Sequence, residues 1–212
     1  MKKVCVVGAG TMGRGVAQTL AANGLEVILY VVVNNDVNSG LNKIKAGLQS
    51  SVAKGKLLQS DADAIMSRIS ATKDLNKISD CDLILEAAIE DMDAKKAVLK
   101  RLEPYCAPEA ILATNTSSLS ITELALSTNR PDKFIGMHFF NPAPVMKLVE
   151  ISKSVTTSQE TFDAVKELVS RIGKECVEVE DSPGFVVNRI LIPMINEAIG
   201  VLAEGTATAE DI

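Results

Sequence analysis

The sequence predicts an α/β fold: an open, mostly parallel sheet with helices on both faces, followed by the start of an all-helical segment. Three observations carry this expectation. Val4-Cys5-Val6-Val7 is a continuous apolar run bounded by glycine, as in a parallel strand covered on both sides. Gly8-Ala9-Gly10-Thr11-Met12-Gly13 follows that run at once and opens a stretch of helical character. Beyond it, short apolar runs alternate with helical periodicity, the signature of strand–helix–strand units.

Taken in order, Thr11 to Ala22 is the first helix, closed by Asn23-Gly24, residues suited to a helix-ending turn. Val27 to about Val33 forms the second strand. Residues 36–54 and 60–68 read as a helical hairpin that turns at Lys54-Gly55-Lys56. Further strands are expected near Arg68–Ala71, Leu83–Ala87, Ala110–Ala113 and Phe134–Met137, with helices over Asp93–Leu102 and Ser120–Leu126 between them. A last unit reads as strand Val149–Ile151, helix Ser158–Ile172 and strand Glu175–Val179.

Asp181-Ser182-Pro183-Gly184 divides a first domain, 1–182, from a second segment, 183–212. Phe185–Ala203 is apolar on most faces, more than a one-sided surface helix requires, and Pro193 should kink it. The residues from Gly205 to Asp211 read as the N-terminus of another helix. This end is therefore expected to be a partial helical domain, a helix completed by another subunit, or a shortened chain.

Composition excludes several classes of function. With 47% hydrophobic and 23% charged residues, the 212-residue chain reads as an ordinary globular protein with one substantial core. The apolar runs are strand-sized, so no membrane span or secretory leader is expected. A formal charge of −5, 3% aromatic residues and no tryptophan argue against a nucleic-acid partner. Cys5, Cys81, Cys106 and Cys176 are scattered without a Cys-x-x-Cys pair, as reduced thiols of a cytoplasmic protein would be, and no metal site is expected.

In the glycine motif, Gly8 permits the tight turn, Gly10 lets a backbone approach a pyrophosphate, and Gly13 lets helix and strand pack closely. The exposed amides and positive helix end then receive phosphate charge. The reading is a Rossmann-type dinucleotide-binding domain. Its usual carboxylate at the end of the second strand, which holds the adenine ribose, is replaced by Val31. No arginine stands there for a 2′-phosphate either, and Asn34, Asn35 or Asp36 could reach the ribose from the loop.

In such sheets, ligands lie beyond the carboxyl ends of the strands. Glu86 to Lys95 follows the fourth strand, and Asn115-Thr116-Ser117-Ser118 follows the fifth; by themselves the latter also read as a turn and helix cap. His138, the one histidine, ends the next strand, with Glu150 twelve residues downstream and Pro142 and Pro144 turning the backbone between them. Imidazole is the side chain whose ordinary titration lies near neutrality, and a carboxylate can orient its ring.

The glycine motif, Asn115-Thr116-Ser117-Ser118-Leu119-Ser120, the segment from His138 to Glu150, and Pro183-Gly184-Phe185-Val186-Val187-Asn188-Arg189 occur in that order. Together they resemble the L-3-hydroxyacyl-CoA dehydrogenases, and within them the bacterial 3-hydroxybutyryl-CoA members, over residues 2–212. The resemblance implies NAD as cofactor and interconversion of an (S)-3-hydroxyacyl-CoA and its 3-ketoacyl-CoA. It implies that His138 exchanges the proton of the 3-hydroxyl, that Glu150 holds the imidazole, that Ser117 binds the substrate oxygen, and that Asn188 donates to developing negative charge. It places Gly8, Ala9, Gly10, Thr11, Met12 and Gly13 at the cofactor phosphates. Glu90, Lys95, Asn115, Ser117 and Asn141 fall toward its ribose and nicotinamide, and Lys54 at the phosphates of coenzyme A.

Two departures from the family accompany these expectations. Most members carry aspartate where this chain has Val31, which leaves NADP open beside NAD. Members also continue for several more helices, which cover the substrate and form a homodimer contact. Without them, poor solubility or weak activity is expected of this polypeptide. Two other readings stay in view: a dehydrogenase of free hydroxy acids, and a non-catalytic nucleotide-binding remnant.

Overall fold

The first strand, β1 (Lys3–Val7), is buried from Val4 to Val7 and lies inside an eight-stranded sheet in the computed structural model, which describes residues 1–32 and 36–212. The other strands are β2 (Glu26–Tyr30), β3 (Ile69–Thr72), β4 (Leu83–Glu86), β5 (Ile111–Thr114), β6 (Phe134–Phe139), β7 (Leu148–Lys153) and β8 (Glu175–Glu180). They stand in the order β3-β2-β1-β4-β5-β6-β7-β8. Pairing is parallel from β3 through β6; β7 runs antiparallel to β6, and β8 parallel to β7. The chain moves outward from β1 to β3 and then returns to place β4 on the other side of β1. The loops leaving β1 and β4 therefore part at their carboxyl ends, opening the crevice in which such sheets bind ligands.

Helices α1 (Thr11–Ala22), α2 (Ser39–Ala53), α3 (Gln59–Ser67) and α6 (Gln159–Arg171) cover one face, with Val16, Leu20, Ile44, Leu48 and Val165 in its core. Helices α4 (Met92–Leu102) and α5 (Ile121–Ala125) cover the other through Leu99, Leu102, Ile121 and Leu124. Because both faces are covered, the strands can be apolar throughout, as β4 and β5 are in all but their last residues. The end of α1 follows the local chemistry: Gly24 takes φ +85°, and the amides of Gly24 and Leu25 bond back to Ala21 and Leu20.

Several boundaries differ from expectation. The second strand stops at Tyr30, although the Val31 amide still donates to Thr72; Val33 lies outside the described residues. The second helix begins at Ser39, not Asp36, because the Asp36 carboxylate accepts the Asn38 amide and holds the chain in a turn. The strand that His138 was expected to end runs one residue further, to Phe139. The last helix, α7 (Val187–Ala203), starts two residues later than Phe185 and contains Pro193. After Gly205, Thr208 accepts the Asp211 amide on its hydroxyl and the Ile212 amide on its carbonyl, the bonding of a helix N-terminus, as the sequence suggests. Nothing in α7 is buried, and Ile190, Ile192, Met194, Ile195 and Ile199 are all exposed. Among the described residues no helix is long and apolar enough to cross a membrane.

Candidate active site

The glycine loop joins β1 to α1 with no room for side chains. Gly8 has φ +110°, and a Cβ there would stand 2.5 Å from the carbonyl oxygen of Ala87, in the loop after β4. A Cβ on Gly13 would fall 1.8 Å from the Gly8 carbonyl oxygen, so this glycine lets the helix close onto the loop. Gly10 is different: a Cβ would meet nothing within 4 Å. Its open space lies before the first amides of α1, which carry no side-chain cap and no acidic neighbour in the first turn. Unpartnered amides at a positive helix end are a seat for a phosphate, so these residues fit the pyrophosphate of a dinucleotide.

Gly8, Ala9, Gly10, Thr11 and Met12 line a cavity of about 720 Å³. Val31, Val32, Ile89 and Val98 give it apolar walls, and Asp36, Arg14 and Lys43 also line it. A second cavity, of about 330 Å³, shares Met12, Ala87 and Ala88 with the first. Its lining includes Glu90, Lys95, Asn115, Ser117, His138 and Asn141. Residues from the loops after β4, β5 and β6, with Met12 of α1, Lys95 of α4 and His138 of β6, thus meet at the carboxyl edge of the sheet.

Behind that cavity lies a buried polar network. Lys95, 1% exposed, reaches both oxygens of the fully buried Glu86 at 2.9 and 3.0 Å and Glu90 Oε2 at 3.2 Å. Glu86 also accepts the Ala88 amide and the Thr114 hydroxyl, each at 2.6 Å. Glu90 Oε1 accepts the Thr116 hydroxyl at 2.5 Å and the Ser117 amide at 2.8 Å. Burial acts to raise the Glu90 pKa, but these two donors and the Lys95 charge outweigh it and hold the carboxyl below its ordinary value. The Asn115 side-chain oxygen accepts the Phe139 amide at 3.0 Å, tying the end of β5 to β6.

His138 and Glu150 face each other in the antiparallel pairing of β6 with β7. Both are buried, and His138 Nδ1 lies 2.8 Å from Glu150 Oε2. The other oxygen, Oε1, accepts the amides of Val186 and Val187 at 3.0 Å each, where α7 begins. With Nδ1–H donated to the carboxylate, Nε2 is the ring nitrogen left to accept a proton. Phe140 and Phe185 pack against the imidazole, with ring centroids 4.4 and 5.6 Å away.

Gly13 packs behind the loop and lines neither cavity, which fits its packing role but not the place at the cofactor phosphates that the resemblance gave it. Asn188 stands in the first turn of α7, beside the Val187 amide, and Lys54 is exposed at the tip of the hairpin; neither lines the His138 cavity. Asn34 and Asn35 lie outside the described residues. Sequence reasoning did not single out Glu86, Thr116 or Phe185. Glu86 could have been found as the one charge ending an otherwise apolar strand, with Lys95 on the helix that follows.

A mostly parallel sheet with a glycine phosphate loop and a histidine–carboxylate pair at the same edge defines a dinucleotide-dependent dehydrogenase. Residues 3–182 match the sequence model of the 3-hydroxyacyl-CoA dehydrogenase NAD-binding domain, and residues 184–212 match that of the family's C-terminal domain. A 3-hydroxybutyryl-CoA dehydrogenase of Clostridioides difficile is 51% identical over 210 residues, covering 99% of this chain and 75% of that protein. The human mitochondrial hydroxyacyl-coenzyme A dehydrogenase is 41% identical over 222 residues, covering 100% of this chain and 69% of the relative. The crystal structure of an (S)-3-hydroxybutyryl-CoA dehydrogenase from Ralstonia eutropha superposes with a TM-score of 0.94 at 44% identity, covering 100% of this chain and 75% of that one. The chain belongs to the 3-hydroxyacyl-CoA dehydrogenase family. It is an oxidoreductase that uses NAD, and its Rossmann-type sheet leads into the beginning of the helical C-terminal domain.

Proposed function

We propose that this chain interconverts (S)-3-hydroxybutyryl-CoA and acetoacetyl-CoA, with His138 as the proton carrier. The observation that carries this reading is the buried His138–Glu150 pair, whose histidine lines a cavity that shares Met12, Ala87 and Ala88 with the glycine-loop cavity. NAD, when bound, supplies the acceptor for the hydride that leaves C3. His138 Nε2 takes the 3-hydroxyl proton as the carbonyl forms, and returns it in the reverse direction. Glu150 keeps the ring in the required tautomer and stabilises the imidazolium. Ser117, whose hydroxyl donates to Glu90 at 3.2 Å, binds the substrate oxygen. Asn188 donates to the negative charge that develops on it.

In the same reading, Glu90, Asn115 and Asn141 hold the nicotinamide half of the cofactor. Lys95 acts by positioning Glu90, to which its ammonium is tied. Lys54 meets the coenzyme A phosphates from the hairpin. The short acyl group is supported by the names of the bacterial relatives. A homodimer is supported by the apolar surface of α7, and a cytoplasmic location by four free cysteines, of which burial pushes Cys81 up to about 12 and Cys106 to about 11. The test is NADH oxidation with acetoacetyl-CoA against free acetoacetate. Turnover confined to the thioester is expected; equal rates with both would overturn the CoA assignment.

A further inference from the structure

The cavity beside the glycine loop differs in charge from the chain as a whole. The chain carries −5, yet among the described residues lining this cavity Arg14 and Lys43 are cations and Asp36 is the one carboxylate. Val31 follows β2, at the position where a carboxylate would accept the 2′-hydroxyl of an adenosine ribose; it is 4% exposed and forms part of the wall. Asp36 does not simply replace that carboxylate. Its Oδ1 accepts the Asn38 amide at 3.0 Å, and its backbone oxygen accepts the Ser39 amide, so it is engaged in the entry to α2.

The start of α2 adds to the positive side. It has no side-chain cap bond and no acidic residue in its first turn, and the one carboxylate near it is Asp36, bonded to the Asn38 amide just before the helix. Gly40 brings that turn against the glycine loop: a Cβ on it would lie 3.0 Å from the Ala9 side chain. Lys43 follows on the same helix, and Arg14 approaches from α1, where one guanidinium nitrogen donates to the Ala9 carbonyl at 2.8 Å. A guanidinium so anchored keeps other N–H groups for an anion.

We infer that this cavity accepts NADP as well as NAD, with Lys43 and Arg14 as counter-charges for the 2′-phosphate and Val31 in place of the carboxylate that would repel it. The inference rests on the cofactor assignment of the cavity and concerns only its ribose end. A phosphate dianion facing an aspartate at the end of β2 loses affinity, whereas a valine there leaves the cavity lining with two cations against the single carboxylate of Asp36.

Isothermal titration of the purified chain with NAD⁺ and with NADP⁺ tests this directly. The two dissociation constants are expected to agree within about tenfold, a difference of one decade. Lys43→Ala, at an exposed position, should weaken NADP⁺ roughly tenfold more than NAD⁺, and Val31→Asp should shift preference toward NAD⁺ by at least about tenfold. NADP⁺ binding about a hundredfold or more weaker than NAD⁺, or Lys43→Ala weakening both alike, would overturn the inference and leave the NAD assignment standing. Failure to bind either nucleotide would remove the cofactor assignment and the inference together.

Discussion

Glu150 binds His138 with one carboxylate oxygen and the first amides of α7 with the other. One side chain therefore orients the imidazole and positions the helix that carries Asn188. Glu150→Gln cannot accept from both sides, since its amide has one accepting oxygen; with that oxygen on the α7 amides, its NH2 faces Nδ1 and favours the tautomer in which Nε2 is protonated. Acetoacetyl-CoA reduction should fall roughly 10²-fold or more, the usual worth of oriented acid–base chemistry, while NAD⁺ affinity measured by titration is kept.

The glycine loop separates stability from binding. Gly13→Ala would set a methyl 1.8 Å from the Gly8 carbonyl, and should destabilise the fold by about 3 kcal/mol in urea titration. Gly10→Ala meets no protein atom within 4 Å, so its unfolding midpoint should hardly move while NAD⁺ affinity drops about tenfold or more. Equal loss of stability in the two variants would mean that Gly10 serves the fold and not a ligand.

Lys95→Ala leaves the fully buried Glu86 without its cation, though Thr114 and the Ala88 amide still reach it. A cost of roughly 3 kcal/mol in chemical denaturation is expected, and Glu86→Gln with Lys95→Met should recover part of it. An unchanged stability in Lys95→Ala would show that the pair is not a structural unit.

Asp181 holds the start of α5 through the Ser120 hydroxyl at 3.0 Å and the amides of Ile121 and Thr122 at 2.9 and 2.8 Å. Burial opposes its ionisation, but these donors prevail and lower its pKa from the ordinary 3.8. Because the folded value is the lower one, this stabilisation is fully present above pH 3.8 and is lost as pH falls through the folded value. Asp181→Asn should cost about 1 kcal/mol at neutral pH, and the gap from wild type should close in thermal melts at strongly acid pH. A gap that persists in acid would point to packing instead.

Much of this was legible in the sequence because local rules and tertiary demand agree. The first helix, Thr11 to Ala22, falls where its glycine entry and Asn23-Gly24 exit place it. His138 and Glu150 were visible as residues, and the family resemblance implied their contact, but a spacing of twelve along the chain did not by itself bring them together. Only the antiparallel β6–β7 register puts them opposite each other. The Glu86–Lys95–Glu90 network was hidden for a similar reason, since burial of a lysine depends on how α4 lies over the sheet. Arg14 and Lys43 meet at one cavity only after α1 and α2 pack together, which a reading confined to the end of β2 could not reveal.

The most direct measurement is NADH oxidation with acetoacetyl-CoA by wild type and His138→Ala, accompanied by NAD⁺ titration of both. We expect turnover in the variant to fall roughly 10²- to 10⁴-fold with cofactor affinity retained. Equal rates in the two proteins would contradict His138 as the proton carrier.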